Sequence, residues 1–347
     1  MLNVSCSSGG NDDIIVEEPP QDIIPTNLNV SVEIVGKSSS KSYGDGSGVV
    51  NVTATATNAV RYGFAVDGGT EQASSNGAYQ FIFNSEEGIE AHEIKVFAYS
   101  STNNAINETE NVAIVYYSGT PPVWADEFFE DGAPNPSNWN YNLGAGGWGN
   151  NELQTYTNNA DNVITEDGVL KIIAKSDGSG GYTSARIKTE NLQEFTYGTV
   201  KVRAKLPSKQ GTWPAIWMLG ANFDTVGWPL CGEIDIMEQT GSSKNEVLAT
   251  CHWFNAASSS TASYGLKTSI SNTASQFHVY EMQWEEDYIR TLVDGTQYYE
   301  IALNSALPFD HDFFLILNVA MGGTLGGTVE GGFTEDIMEV DYIRVYQ

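Results

Sequence analysis

At 347 residues the chain is long enough for two domains, one of them large. Its 16 Lys and Arg stand against 44 Asp and Glu, a formal net charge of -28, which excludes nucleic acid as a default partner because a phosphate backbone calls for a basic patch. The same balance disfavours a strongly sulfated polymer and suits a neutral one.

Residues 1–26 read as an export remnant and a flexible linker. No apolar run in them is long enough for a membrane helix or a complete signal peptide. Pro19-Pro20 and Pro25 mark a tether. Cys6, followed by Ser7-Ser8-Gly9-Gly10-Asn11-Asp12-Asp13, resembles the start of a mature bacterial lipoprotein with an acidic export stretch. That resemblance implies a lipid anchor at Cys6 and a protein that is exported, either held at the outer-membrane surface or secreted.

Residues 27–119 carry short alternating runs and no helical period. Examples are Leu28-Asn29-Val30-Ser31-Val32, Val49-Val50-Asn51-Val52-Thr53, Ala78-Tyr79-Gln80-Phe81 and Ile94-Lys95-Val96-Phe97-Ala98. Turn residues separate them at the spacing of a sandwich. This stretch resembles the immunoglobulin-like, PKD-type modules appended to polysaccharide enzymes. It holds no catalytic constellation and no Trp, so it is expected to act as a spacer.

Residues 120–347 hold all eight Trp, between Trp124 and Trp284. Flat aromatic faces cover the apolar faces of sugar rings, so the asymmetry marks this part as the sugar binder. The segment Gly144–Gln154 is Gly-rich and carries Trp148 and Asn151. No Lys and no helix follow it as a phosphate loop would require, whereas Gly lets backbone approach a ligand closely. Strand-like runs continue to the end of the chain, with Asp294-Gly295 a strong hairpin signal. Cys231 and Cys251 flank a possible hairpin, and the residues leave a disulfide and two free buried thiols equally open. The scattered His and the lack of a CxxC pair suggest no zinc site.

The stretch that organises this part is Gly232-Glu233-Ile234-Asp235-Ile236-Met237-Glu238. In a strand, Glu233 and Asp235 share one face while Ile234 and Ile236 pack on the other. Strict alternation would send Glu238 into the core, where a lone carboxylate costs several kcal/mol or titrates far from its usual range. A one-residue bulge at Ile236-Met237 removes the conflict and returns Glu238 to the face of the other two acids. Paired carboxylates of this kind suit glycoside hydrolysis, in which one attacks and the other donates a proton.

GEIDIME resembles the signature of glycoside hydrolase family 16, in the bulged form of its laminarinases. The resemblance extends to Trp124-Ala125-Asp126-Glu127-Phe128, the Gly-rich Trp148 loop, Gly211–Leu219 and the closing Val340–Tyr346 run. It implies an all-β fold, with a jelly-roll β-sandwich catalytic domain over 120–347 whose concave face forms the substrate groove. It further implies Glu233 as nucleophile, Asp235 as its assistant and Glu238 as general acid/base. Trp148, Asn151, Arg186, Trp213, Trp217, Trp228 and His252 are the implied substrate-binding residues, with Trp213 at a sugar subsite, Trp217 deeper, and His252 able to meet a sugar or Glu238. A structural calcium is implied at Glu127, Gly168 and Asp341, and no organic cofactor. The activity implied is endo-hydrolysis of a β-1,3-glucan by a monomer, possible also on mixed-linkage glucan. Neutral agarose as substrate and a non-catalytic glucan-binding role are the alternatives.

Overall fold

The computed structural model describes residues 22–39 and 41–347, so Cys6 and its expected lipid anchor lie outside the described residues. The chain divides into two compact units, residues 1–119 and 120–347.

Among the described residues, the first unit is built from seven strands in two sheets. One holds Thr26–Ile34, Val49–Thr57 and Ala78–Ile82; the other holds Gln72–Ser74, Arg61–Val66, Gly88–Tyr99 and Ala105–Tyr116. Alternation explains the layering. Val50, Val52, Ala54 and Phe81 from the first sheet meet Phe64, Ile94, Val96, Val112 and Ile114 from the second in one core.

The second unit has two larger sheets. Ten strands form one, running from Gln154–Tyr156 through Val169–Ser176, Glu335–Tyr346 and Gly198–Lys205 to Thr296–Ala302. Eight form the other. Its path runs Ser260–Ser269, Glu246–Asn255, Glu233–Glu238, Thr212–Gly220, Phe313–Met321, Arg186–Lys188, Asn140–Asn142. Among the described residues helix is confined to single turns such as Phe223–Val226 and Gly323–Gly326. One core joins the two sheets: Ile234, Ile236 and Met237 of the acidic strand lie in it with Val200, Val202, Tyr280, Met282 and Ile343 of the ten-stranded sheet.

Buried ion pairing closes the start of this unit onto its end. Trp124–Asp126 pairs with Glu335–Tyr346, and Arg344 grips the next residue, Glu127, with Nε on Oε1 at 2.7 Å and Nη2 on Oε2 at 3.1 Å. Cys231 and Cys251 are both buried and free, which decides against the disulfide. Cys251 stands opposite Ile234 in the ladder, three residues from Cys231.

Candidate active site

The ladder shows how the three acids come to one face. On one side Glu233, Asp235 and Glu238 stand opposite Leu219, Trp217 and Ala215; on the other they stand opposite His252, Thr250 and Leu248. The partners step by two, while the acidic strand steps by two and then by three. The extra residue is the bulge expected at Ile236-Met237, and the register shifts between Ile216 and Trp217 and between Asp235 and Glu238. Both bulge side chains are buried, so the sheet keeps its apolar side while the acids keep theirs. Gly232, just before Glu233, has φ +77, and a Cβ there would sit 2.8 Å from the Pro308 carbonyl oxygen. The strand entry therefore requires glycine twice over.

Each acid has a distinct setting. Glu233 keeps 19% of its side chain exposed. Burial pushes its carboxyl up to about 8, and the neighbouring Asp235 adds to this, while His252, the Trp228 indole and Arg186 act the other way. Asp235 is 4% exposed, and burial and the Glu238 charge hold it well above the usual range. Glu238 is 8% exposed and accepts a hydrogen bond from Trp213 Nε1 at 2.9 Å. Burial raises it to about 7 against that hydrogen bond. The cluster thus carries fewer than three negative charges at neutral pH, as close like charges require.

Around the acids, Arg186 stands opposite Asn318 and Asn142 in the sheet. Its guanidinium carbon lies 4.6 Å from the Trp217 ring centroid and 5.1 Å from that of Trp148. Trp148 sits on the turn Gly147–Gly149 at φ 47 and donates to the Gly144 carbonyl at 3.3 Å. Asn151, at φ 58, is exposed. Its neighbour Asn150 is the one tied inward, donating to Glu152 at 3.2 Å. Trp228 is 48% exposed and lies 6.4 Å from the His252 ring.

Two expectations change. Trp213, not Trp217, is the deeper ring: it is 7% exposed and bonded to Glu238, and a Cβ added at Gly326 would meet its own Cβ at 3.6 Å. Trp217 is half-buried and donates to Asn318 Oδ1 at 2.8 Å. His252 faces Asp235 (3.2 Å) and Glu233 (4.0 Å) rather than forming a bond to Glu238, because the ladder sets it opposite Glu233.

Sequence reading missed a polar chain beneath the site. Asn318 donates to the Tyr156 hydroxyl at 3.1 Å, and Tyr156 in turn donates to Glu152 at 3.2 Å. Gln154 donates to Glu152 at 2.6 Å and accepts from the Met321 amide at 2.7 Å. The available signal was Asn318 itself, the one polar residue in the otherwise apolar strand Phe313–Met321. Also missed was Lys244, whose Nζ donates to the Thr212 carbonyl, the Thr212 hydroxyl and Gln239 next to Glu238.

The three expected calcium positions converge at one place along the strand Glu335–Tyr346, where the partner strand Trp124–Asp126 stops and Val169–Ser176 begins. Their carboxylates do not fit a calcium cage. Both Glu127 oxygens are engaged by Arg344, and Asp341 is paired with Arg203. A cation there would face two guanidinium groups.

The chain's sequence matches the model of glycosyl hydrolases family 16 over residues 150–344. The chain belongs to that family. It is 40% identical over 242 residues to a beta-glucanase of Rhodothermus marinus, covering 65% of this chain and 84% of that protein. A glucan endo-1,3-beta-glucosidase of Niallia circulans is 35% identical over 70% of this chain, but the match spans only 41% of that longer protein. Among solved structures, a Zobellia galactanivorans protein in complex with laminaritriose and laminaritetraose shares 44% identity at a TM-score of 0.61, covering 65% of this chain and 99% of that one. The family 16 member is therefore an all-β glycoside hydrolase with a jelly-roll sandwich.

Proposed function

We propose that this protein is a retaining endo-β-1,3-glucanase that cleaves laminarin-type glucans and, more slowly, mixed-linkage β-1,3-1,4-glucan. The observation that supports it most is the bulged strand, which sets Glu233, Asp235 and Glu238 at successive positions of one face. Glu238, protonated, gives its proton to the leaving glycosidic oxygen while Glu233 attacks the anomeric carbon. The glycosyl-enzyme that results is cleaved by water, which loses its proton to Glu238, and Glu233 leaves as carboxylate. In the free site Glu238 titrates at about 7 and Glu233 at about 8, whereas the reaction needs the reverse order. A bound sugar supplies it. The glycosidic oxygen accepts a hydrogen bond only from protonated Glu238, and the electron-poor anomeric carbon favours ionised Glu233. Asp235, between them, disfavours a second charge on either side and keeps Glu238 protonated.

Trp148, Trp217, Trp228 and the stacked Arg186 provide flat faces and one cation for an uncharged sugar chain. Parallel assays of reducing-sugar release with product sizing on laminarin, lichenan and agarose test the reading. Rapid conversion of laminarin to short oligomers, with the β-anomer appearing first by NMR, is expected. Cleavage of agarose alone would overturn the linkage, and binding without cleavage would overturn the reaction.

The site's cellular setting is proposed to be the outer-membrane surface, through a lipid on Cys6; mass spectrometry of the native protein's N-terminal peptide tests this. Structural calcium near Glu127, Gly168 and Asp341 would have to rely on backbone oxygens, with Asp341 released from Arg203. A calcium-dependent rise in melting temperature is its test.

A further inference from the structure

The side chains of Glu233, Asp235 and His252 form a second constellation within the first. Each offers one ligand atom, and the three atoms lie within 4.8 Å of one another. His252 Nε2 is 3.2 Å from Asp235 Oδ2 and 4.0 Å from Glu233 Oε1. Donors around a tetrahedral zinc ion, at about 2.0–2.2 Å from the metal, stand about 3.4 Å apart. Only a small movement of Glu233 closes the set to that size.

A sign independent of clustering is the state of Asp235. Its Oδ2 is buried, lies on the His252 side of the trio and accepts no well-formed hydrogen bond. A carboxylate oxygen so placed carries a desolvation cost that the His252 ring, 3.2 Å away, offsets only in part, and a cation among the three groups would offset more of it. Glu238 stays outside the set, since Trp213 Nε1 holds it.

We propose that Glu233, Asp235 and His252 bind one divalent transition-metal ion of the zinc class, and that the bound ion blocks the enzyme. One imidazole and two carboxylates suit zinc, copper or nickel, while calcium and magnesium prefer oxygen alone. An ion held by Glu233 occupies the carboxylate that must attack the sugar, so ion and sugar exclude each other. The ion site rests on this geometry alone; its effect on turnover rests on the glucanase reading.

The test is titration calorimetry of zinc chloride into the full chain without substrate, beside His252→Gln, Asp235→Asn and His92→Gln. His92 lies between Asp67 and Glu90 in the first unit and serves as the control. One equivalent of zinc should be lost, or its affinity lowered by more than about tenfold, in the first two variants and kept in the third. Magnesium should give no heat. Melting curves in metal-free buffer establish that each variant folds. Zinc-edge anomalous scattering from soaked crystals gives a reading without variants, and a peak should lie among the three side chains. Absence of binding, binding unchanged in His252→Gln, or an anomalous peak only elsewhere would overturn the site. Binding with undiminished hydrolysis would overturn the block alone.

Discussion

Glu233 shows how one side chain couples chemistry to stability. Its carboxyl titrates at about 8 in the folded chain, above the ordinary value near 4.5. The folded state therefore holds a proton that the unfolded state has lost across that window. The sign follows: stability falls as pH rises from about 4.5 to about 8, because the native chain must give up a proton it favours. Glu233→Gln removes this dependence. Its melting temperature should match that of the parent near pH 4 and exceed it at pH 8, while turnover falls by at least about 10^3-fold. A parallel pH–melting profile for both proteins would contradict the burial argument. Trp213 gives a second test at the same scale. Its indole N–H favours the charged form of Glu238, so Trp213→Phe should move the alkaline limb of kcat/KM upward by about one pH unit. The three acids were legible in the sequence because a carboxylate cannot sit in an apolar strand layer unexplained. The Trp213 contact was not, since strand periodicity gives a ring's face but not its depth.

At the scale of elements, the acidic strand is the best case for reading structure from alternation. Only a bulge reconciles Ile234 and Ile236 inward with Glu233, Asp235 and Glu238 outward, and the ladder carries it. The strand Phe313–Met321 taught the opposite lesson. It is buried along its whole length, so alternation carries no signal, and the polar exception was the informative residue. Asn318 satisfies the Trp217 indole and the Tyr156 hydroxyl at once. Asn318→Leu should leave the Trp217 indole without a partner and the Tyr156 hydroxyl with Glu152 alone, and cost about 1–3 kcal/mol. It should also loosen Trp217 beneath Arg186, so KM rises more than kcat falls. Denaturant unfolding together with steady-state kinetics on a soluble glucan would check both; an unchanged KM would mean that Trp217 is held by packing alone. Lys244 was equally invisible in sequence, because two of its three contacts go to Thr212, 32 positions away on the strand Thr212–Gly220.

For the whole molecule, composition offers one marker of the division: Trp begins at residue 124 and the second compact unit at 120. It could not reveal how that unit is fastened. Arg344 and Glu127, 217 positions apart, are 4% and 8% exposed and form a two-pronged ion pair. Loss of one partner strands a buried charge, so Arg344→Met should cost about 3–5 kcal/mol. The melting temperature should drop by roughly 10 °C, and Arg344→Met with Glu127→Gln should recover much of it. The two units are also expected to be separable. Residues 28–114 supply the core of the first, and the core of the second begins at Phe128. The second also contains all three acids, the stacked Arg186 and every Trp. A chain of residues 120–347 should therefore fold and hydrolyse soluble laminarin within about a factor of two of the full protein's rate. Equal rates with equal melting of the catalytic unit would establish the first unit as a spacer. A loss confined to insoluble glucan would give that unit a binding role, and a loss on soluble substrate would show that the catalytic unit depends on it.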